Sequence, residues 1–235
     1  MEALDILFII SIFIGLAYFI KHEIDNSRLL NTVTNRSRGT KSEQQLVIKL
    51  LRHKFEAKNL FHDLYLDKKS GNYCQIDLVL LTSVGIIVLE VKDCSGWIFG
   101  SGNSKNWTQV LSYGRSKYKL YNPIEQNATH ITNLKKSLLH FNNIPFFSII
   151  VFFGSCELKS IDMIPKNTFV VKQYDVVKTI NNLILRKKQA EYQNMEEIID
   201  LLRTASLNGE NEGIRLAHKN YVKNVVEYKN RISIK

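Results

Sequence analysis

The stretch 85-GIIVLEVKDCSGW-97 decides how the rest of the chain is read. Gly85 to Val91 has the composition of a buried strand, yet Glu90 and Lys92 stand near its end, two residues apart. Side chains alternate across a strand, so both charges face one side and Val91 faces the other. Burying an unpaired charge is costly. The pair therefore needs a partner, a proton or a cation.

The preceding run 74-CQIDLVLL-81 is a second short apolar segment, and 82-TSVG-85 between the two reads as a hairpin turn. With the turn centred between Ser83 and Val84, opposed residues have numbers that add to 167, which sets Asp77 opposite Glu90. Opposed side chains lie ~4.5–5.5 Å apart at Cβ. Two carboxylates that close repel unless a cation or proton sits between them. Oxygen donors of this kind suit Mg²⁺ or Mn²⁺ rather than zinc. Lys92, on the same face, would polarise a water or offset charge on a phosphate. Two readings are open at this point. The cluster either binds a metal and does chemistry, or it is a structural ion cluster in which Lys92 neutralises both acids. A register slip of one residue would move Asp77 to the other face and undo both.

Outward from the hairpin, a helix is expected from Thr40 or Ser42 to about Lys58, with Leu46, Leu50 and Leu51 at helical spacing. The run 60-LFHDLYL-66 is strand-like and 68-KKSGNY-73 is a turn. Residues 93–121, rich in Gly, Ser, Asn and aromatics, are expected to be irregular. A helix should run from Pro123 to about Phe141, capped by Asn122. Strands follow at 146-FFSIIVFF-153 and 168-TFVVKQ-173, with helices at about 174–186 and 189–205. This order predicts an α/β fold with a mixed sheet flanked by helices.

The 235 residues carry a net charge of +10, which favours an anionic partner, either nucleic acid or a lipid surface. Cys74, Cys94 and Cys156 form no CxxC or Cys/His cluster, which argues against a zinc site and fits a reducing compartment. The run 6-ILFIISIFIGLAYFI-20 has no charge. With Leu4 and Asp5 it approaches the ~17–25 residues of a membrane helix. Glu2 and Asp5 in front, and no Ala-x-Ala behind, argue against a cleaved signal. Lys21, Arg28, Arg36, Arg38 and Lys41 all follow the run, so the expectation is a single-pass cell-membrane protein with its domain in the cytoplasm. The expected organisation is an anchor at 1–21, a juxtamembrane linker at 22–38, the main domain at 39–155, a C-terminal α/β extension at 156–206 and a basic tail at 207–235. From Arg215 the tail has six Lys or Arg against Glu227. It is expected either as an amphipathic helix on the domain, DNA or anionic lipid, or as a solvated end.

Asp77 followed one hairpin later by Glu90-Val91-Lys92 resembles the PD-(D/E)xK nuclease superfamily. More narrowly, 39-GTKSEQQL-46, 75-QIDLVLLTSVGIIVLEVKDCSGWIFG-100, Trp107 and 122-NPIEQNATHITNL-134 are similar to the nuclease-related domain, NERD, over about residues 39–155. The resemblance implies a restriction-endonuclease-like core, a divalent-metal site and a nucleic-acid phosphodiester substrate, with DNA favoured. It places the acids on Glu43, Asp77 and Glu90, the lysine on Lys92 and a helical glutamine on Gln126. Asp77 and Glu90 are the implied ligands of Mg²⁺ or Mn²⁺. Ile76 stands where the superfamily name has proline. The alternative is a non-cleaving nucleic-acid-binding or interaction module on the same fold. In 105-KNWTQVLSYGRSKYKLY-121, Lys105, Arg115, Lys117 and Lys119 are expected to face phosphates. Trp107, Tyr113, Tyr118 and Tyr121 either stack on bases or cover the core from edge strands. His130 shares a helix face with Gln126 and is expected to be satisfied locally. Gln75 is left outside the catalytic set.

Overall fold

The computed structural model describes residues 3–68, 72–111, 114–138 and 143–232. Part of the expected turn at 68–73, Tyr113 and the helix end near Phe141 lie outside the described residues. In chain order the helices are α1 (Ala3–Leu30), α2 (Lys41–Arg52), α3 (Pro123–Ser137), α4 (Val176–Arg186), α5 (Met195–Asn208) and α6 (Glu212–Ile232). The strands are β1 (Leu60–Asp67), β2 (Tyr73–Thr82), β3 (Gly85–Asp93), β4 (Gly96–Ser101), β5 (Asn106–Leu111), β6 (Ser116–Tyr121), β7 (Phe146–Phe153), β8 (Cys156–Asp162) and β9 (Thr168–Lys172).

The main sheet has the order β1-β2-β3-β7-β9. The pairs β1–β2 and β2–β3 are antiparallel, and β3, β7 and β9 are parallel, so the sheet is mixed. The β2–β3 pairs from Thr82↔Gly85 to Leu78↔Leu89 carry the expected register. Strand alternation then divides the core into two layers. Leu78, Leu80, Ile87 and Leu89 face Leu46, Leu50, Val176 and Ile180 of α2 and α4. Val79, Leu81, Ile86 and Val88 face Leu134, Ile198 and Leu202 of α3 and α5. With helices on both faces, the central strands read as continuous apolar runs. Continuing the alternation puts Asp77, Glu90 and Lys92 on the α3 side.

Residues 93–121 are not irregular. β4, β5 and β6 join β8 in a second sheet of order β6-β5-β4-β8. The apolar alternation there is thin, because Ile98, Trp107 and Val110 carry most of the burial and β6 lies at an edge. Trp107 is the anchor. It stacks on Phe152 with ring centroids 6.1 Å apart, and its Nε1 donates to Ser101 O at 3.0 Å. Gly100 permits this, since a Cβ there would stand 2.1 Å from the indole. Asn122 ties this sheet to α3. Its side-chain oxygen accepts from Ile124 N, and its amide donates to the carbonyls of Ser101, Gly102 and Ser104.

Other boundaries shift for local reasons. α2 stops at Arg52 rather than near Lys58, because Lys54 takes a left-handed conformation (φ 66°) and Phe55 N closes back on Leu50 O. α5 begins at Met195, where Asn194 caps it by accepting from Glu197 N. α6 shows the tail to be helical, and it is held on the domain by His218 Nδ1, 3.0 Å from Tyr73 O.

α1 is long and apolar enough to cross a membrane over Leu7–Leu30. Leu7 to Ile20 expose large apolar side chains, whereas Leu30 is buried in the core with Leu46 and Leu50. Residues 22–38, expected as a linker, are helix as far as Leu30. Beyond it they pack, with Thr34 and Arg38 meeting His62 and Asp63. A fragment starting at Lys21 should therefore be more stable than one starting at Arg36. Losing the Leu30 side chain alone is worth ~2–5 kcal/mol by the usual cost of a buried leucine. Denaturant melts of the two fragments check this, and equal midpoints would mean that Leu30 contributes nothing to the core.

Candidate active site

The β2–β3 ladder ends at Leu78↔Leu89, and the next residues diverge from backbone pairing. Asp77 fills the gap, its Oδ2 accepting from Val91 N at 2.8 Å. This bond fixes a buried carboxylate beside Glu90. Glu90 is 1% exposed and meets two cationic groups. Lys92 Nζ lies 2.7 Å from its Oε1, and His130 Nε2 lies 3.3 Å from its Oε2. Lys92 Nζ also donates to Gln126 Oε1 at 3.0 Å. Strand β3 thus supplies Glu90 and Lys92, β2 supplies Asp77, and one face of α3 supplies Gln126 and His130. α3 is itself pinned to β3 by Asn127, whose amide donates to Val88 O and Ser148 Oγ.

The charges divide unequally. Burial pushes the Asp77 carboxyl well above the carboxylate range, and Glu90 and Glu43 push it the same way. Burial also opposes a charged Glu90, but His130 and Lys92 outweigh it and hold Glu90 below its ordinary value. The two acids are thus driven in opposite directions, Asp77 toward its neutral form and Glu90 toward its charged form. Burial opposes a charged Lys92, yet Glu90 and Asp77 raise its pKa. His130 behaves likewise: despite burial, Cys74 and Glu90 bring it up to about 10. Its Nδ1 lies 3.2 Å from Cys74 Sγ, which also accepts from Asn133 Nδ2 at 3.3 Å. Burial works against a Cys74 thiolate, but His130 and Asn133 lower its pKa. The result is a line Cys74–His130–Glu90–Lys92–Gln126 with Glu90 as its most buried member.

Glu43 enters from α2. Thr40 caps that helix, accepting from Glu43 N and donating to Glu43 Oε1 at 2.8 Å. Glu43 Oε2 faces His62 Nε2 at 3.4 Å, outside hydrogen-bond geometry. Gly39 makes room for both. With φ 65°, a Cβ there would stand 2.5 Å from each of those atoms. Glu43 is near enough to bear on Asp77, but its own oxygens turn to Thr40 and His62. Beneath them Arg38 Nε pairs with buried Asp63 Oδ2 at 3.2 Å, and Gln75 Nε2 donates to Asp63 Oδ1. Through Asp63, Gln75 belongs to the supporting network.

Among the described residues no three His, Cys, Asp or Glu side chains form a ready-made metal cage. The fit to a cation is that of an incomplete oxygen set. Asp77 and Glu90 offer carboxylates from opposed positions, and the buried Glu90 Oε2 has no hydrogen bond of good geometry. Mg²⁺ sites commonly use one or two carboxylates and complete the shell with water and substrate phosphate.

Lys105, Arg115, Lys117 and Lys119 are exposed on the second sheet and its connections, and the structure does not bring them into the carboxylate cluster. Trp107 is core, while Tyr118 and Tyr121 are exposed. The sequence reading missed Cys74, His62, Arg38 and Asp63, and it undervalued His130. The i, i+4 spacing of Gln126 and His130 was the available signal.

The nuclease-related domain family matches residues 38–153. Over these residues the chain belongs to that family. The matched span holds Glu43, Asp77, Glu90, Lys92 and Gln126 and ends with β7. An uncharacterised protein of Bacillus anthracis is 30% identical over 144 residues, covering 60% of this chain and 66% of that protein. No solved structure matches.

Asp77 binds its proton more tightly in the folded chain than in the unfolded one. Its contribution to stability is therefore greatest below the ordinary aspartate value and is lost as pH rises through the raised value. Asp77→Asn keeps an acceptor for Val91 N and removes this loss. In EDTA at pH 8 it should raise the melting temperature by about 2–4 °C, the effect of ~1 kcal/mol in a chain of this size, and the gain should vanish near pH 4. Thermal melts at the two pH values check this. A large destabilisation at pH 8 would show that the charge on Asp77 holds the fold together.

Proposed function

We propose that the protein is a membrane-tethered, divalent-metal-dependent nuclease that hydrolyses nucleic-acid phosphodiester bonds, with DNA the favoured substrate. One observation carries the reading. Inside a nuclease-related domain, two buried carboxylates and a lysine converge where β2 and β3 part, and burial and the neighbouring acids raise the pKa of one of them. A structural ion pair would need only Glu90 and Lys92; Asp77 brings a second carboxylate to the same place.

Asp77 and Glu90 would hold Mg²⁺ or Mn²⁺, which supplies Lewis acidity toward the phosphoryl group and acidifies a water. The chain's own residues do the rest. Asp77 would act there as a carboxylate, the cation offsetting the burial and the neighbouring acids that raise its pKa. Lys92, held by Glu90 and Gln126, offsets charge building on the phosphoryl oxygens. Gln126 positions that ammonium. His130 adds a second positive charge behind Glu90 and keeps that carboxylate ionised. Glu43 holds a proton-accepting carboxylate on the α2 side, suited to act through a water. Lys105, Arg115, Lys117 and Lys119 supply exposed positive charge for the phosphate backbone. The apolar run of α1, with basic residues following it, supports a membrane anchor and a cytoplasmic domain.

A second reading, a binding module that does not cut, is favoured by the 2.7 Å contact of Lys92 with Glu90, which occupies one of the oxygens a metal would use. Incubating the purified chain with plasmid, linear and single-stranded DNA and with RNA, in Mg²⁺, Mn²⁺ or EDTA, separates the two. Asp77→Ala and Glu90→Ala should each reduce metal-dependent cleavage by at least ~10²-fold, a loss of the order seen when a single charge-stabilising group is removed. Lys92→Ala should slow cleavage and leave metal binding nearly intact. Binding without cleavage, unchanged by metal, would establish the module instead. Separately, a reporter fused after Lys235 should behave as cytoplasmic, and one that is active only outside the cytoplasm would overturn the orientation.

A further inference from the structure

Hydrolysis alone leaves one feature unexplained. A cavity of about 620 Å³ opens beside the carboxylate cluster. That is within the ~300–1,000 Å³ range of ligand sites. Gln126 and His130 line it, the same two residues that hold Lys92 and Glu90. The cavity and the cluster therefore share a wall.

The opposite wall is α6, beyond the family-matched residues. It is anchored in place. His218 contacts Tyr73 O and sets its ring edge-on to Tyr65, centroids 5.5 Å apart, and Arg215 Nη1 donates to Gly209 O and Glu210 O. The lining is chemically one-sided. Among the described residues it has no Asp or Glu, while Lys68, Arg215 and Lys219 contribute cations. It also has four tyrosines, of which Tyr121 and Tyr221 are 45% and 40% exposed. Partly exposed rings beside cations, in a lining without Asp or Glu even though Glu125 meets the Tyr121 side chain from outside it, match a ligand with a flat ring and a phosphate. Aromatic faces take bases of any sequence by stacking, and Lys or Arg takes the phosphate.

Size and continuity narrow this to a polymer with one base released. A paired base stays inside its stack and must be extruded to enter a walled cavity. Tyr121 ends β6, and strand alternation puts Lys119 and Lys117 on its side of that strand, about 7 and 14 Å along at the usual rise. Both lysines are exposed and lead away from the cavity mouth.

We infer that this cavity holds one unpaired nucleotide of the strand whose phosphodiester is presented to Asp77 and Glu90. Tyr121 and Tyr221 flank the base, and Lys219 meets a phosphate. The inference rests on the nuclease reading and deepens it: the substrate is single-stranded nucleic acid, or a duplex at a frayed end, gap or mismatch.

The test uses the full-length chain in detergent, with EDTA present so that nothing is cut. Anisotropy would follow a labelled oligothymidine single strand and a blunt duplex of equal length. The variant is Lys219→Ala with Tyr221→Ala, two exposed positions, with exposed Lys166→Ala as the control and a melt of each protein. The double variant should bind the single strand at least ~10-fold more weakly, as expected for one lost stacking contact. Duplex binding should change by less than twofold. No loss, or equal loss for both probes, overturns the inference. Cleavage by the wild type is measured in parallel and keeps the two readings apart. Cleavage that Asp77→Ala abolishes, with single-strand binding unchanged in the double variant, defeats the cavity assignment and leaves the nuclease. Selective loss of single-strand binding in a protein that never cleaves defeats the nuclease and leaves the cavity.

Discussion

The arrangement depends on the hydrogen bond from Val91 N to Asp77 Oδ2. At the point where β2 and β3 stop sharing backbone bonds, a side chain takes over as the acceptor. The exposed end of the ladder is satisfied, and a carboxylate is held inside the protein next to a second one. Its consequences spread through the site. The pKa of Asp77 rises, that of Glu90 falls, and Lys92 and His130 gather on Glu90 from two sides. Buried charges are tolerated when paired, and here the pairing uses one group from β3 itself and one from α3.

Helix α3 holds these parts in register. Its cap, Asn122, reaches three carbonyls of the β4–β5 turn, and one turn later Asn127 grips β3 through Val88 O. Gln126 lies between them and therefore cannot shift relative to Lys92 without breaking one of these contacts. The second sheet is likewise locked by Trp107 against Phe152. Both anchoring asparagines lie within 122-NPIEQNATHITNL-134. The residues that carry the family likeness there are thus largely those that position the site.

Much of the core was legible in the sequence because it depends on period. The alternation in β2 and β3 and the short turn between them settle the register as far as Leu78↔Leu89, and that brings Asp77 close to Glu90 without pairing the two. What depends on distant partners was not legible. Of the second sheet only edge strands within 105–121 were among the readings, because its burial rests on a few scattered side chains, and β8 pairs with β4 across a long connection. Cys74 read only as one of three unclustered cysteines, since its partner His130 is 56 residues away. Glu43 showed as a lone acid on a helix. That it is boxed between Thr40 and His62, over a glycine with no room for a Cβ, appears only when the loop before α2 is folded.

Helix α1 continues without a break from its exposed apolar run to Leu30 in the core. A tether of loose chain would let a domain tumble freely beneath a bilayer. A helix cemented into the core does not: it acts as a mounting post, and the angle at which it leaves a membrane is the angle at which the whole domain is presented. Were residues 7–20 to sit in lipid, the centre would face a fixed direction at a fixed height. Encounters would then be selected by geometry, favouring strands that run along or emerge from the membrane surface over coils in open solution.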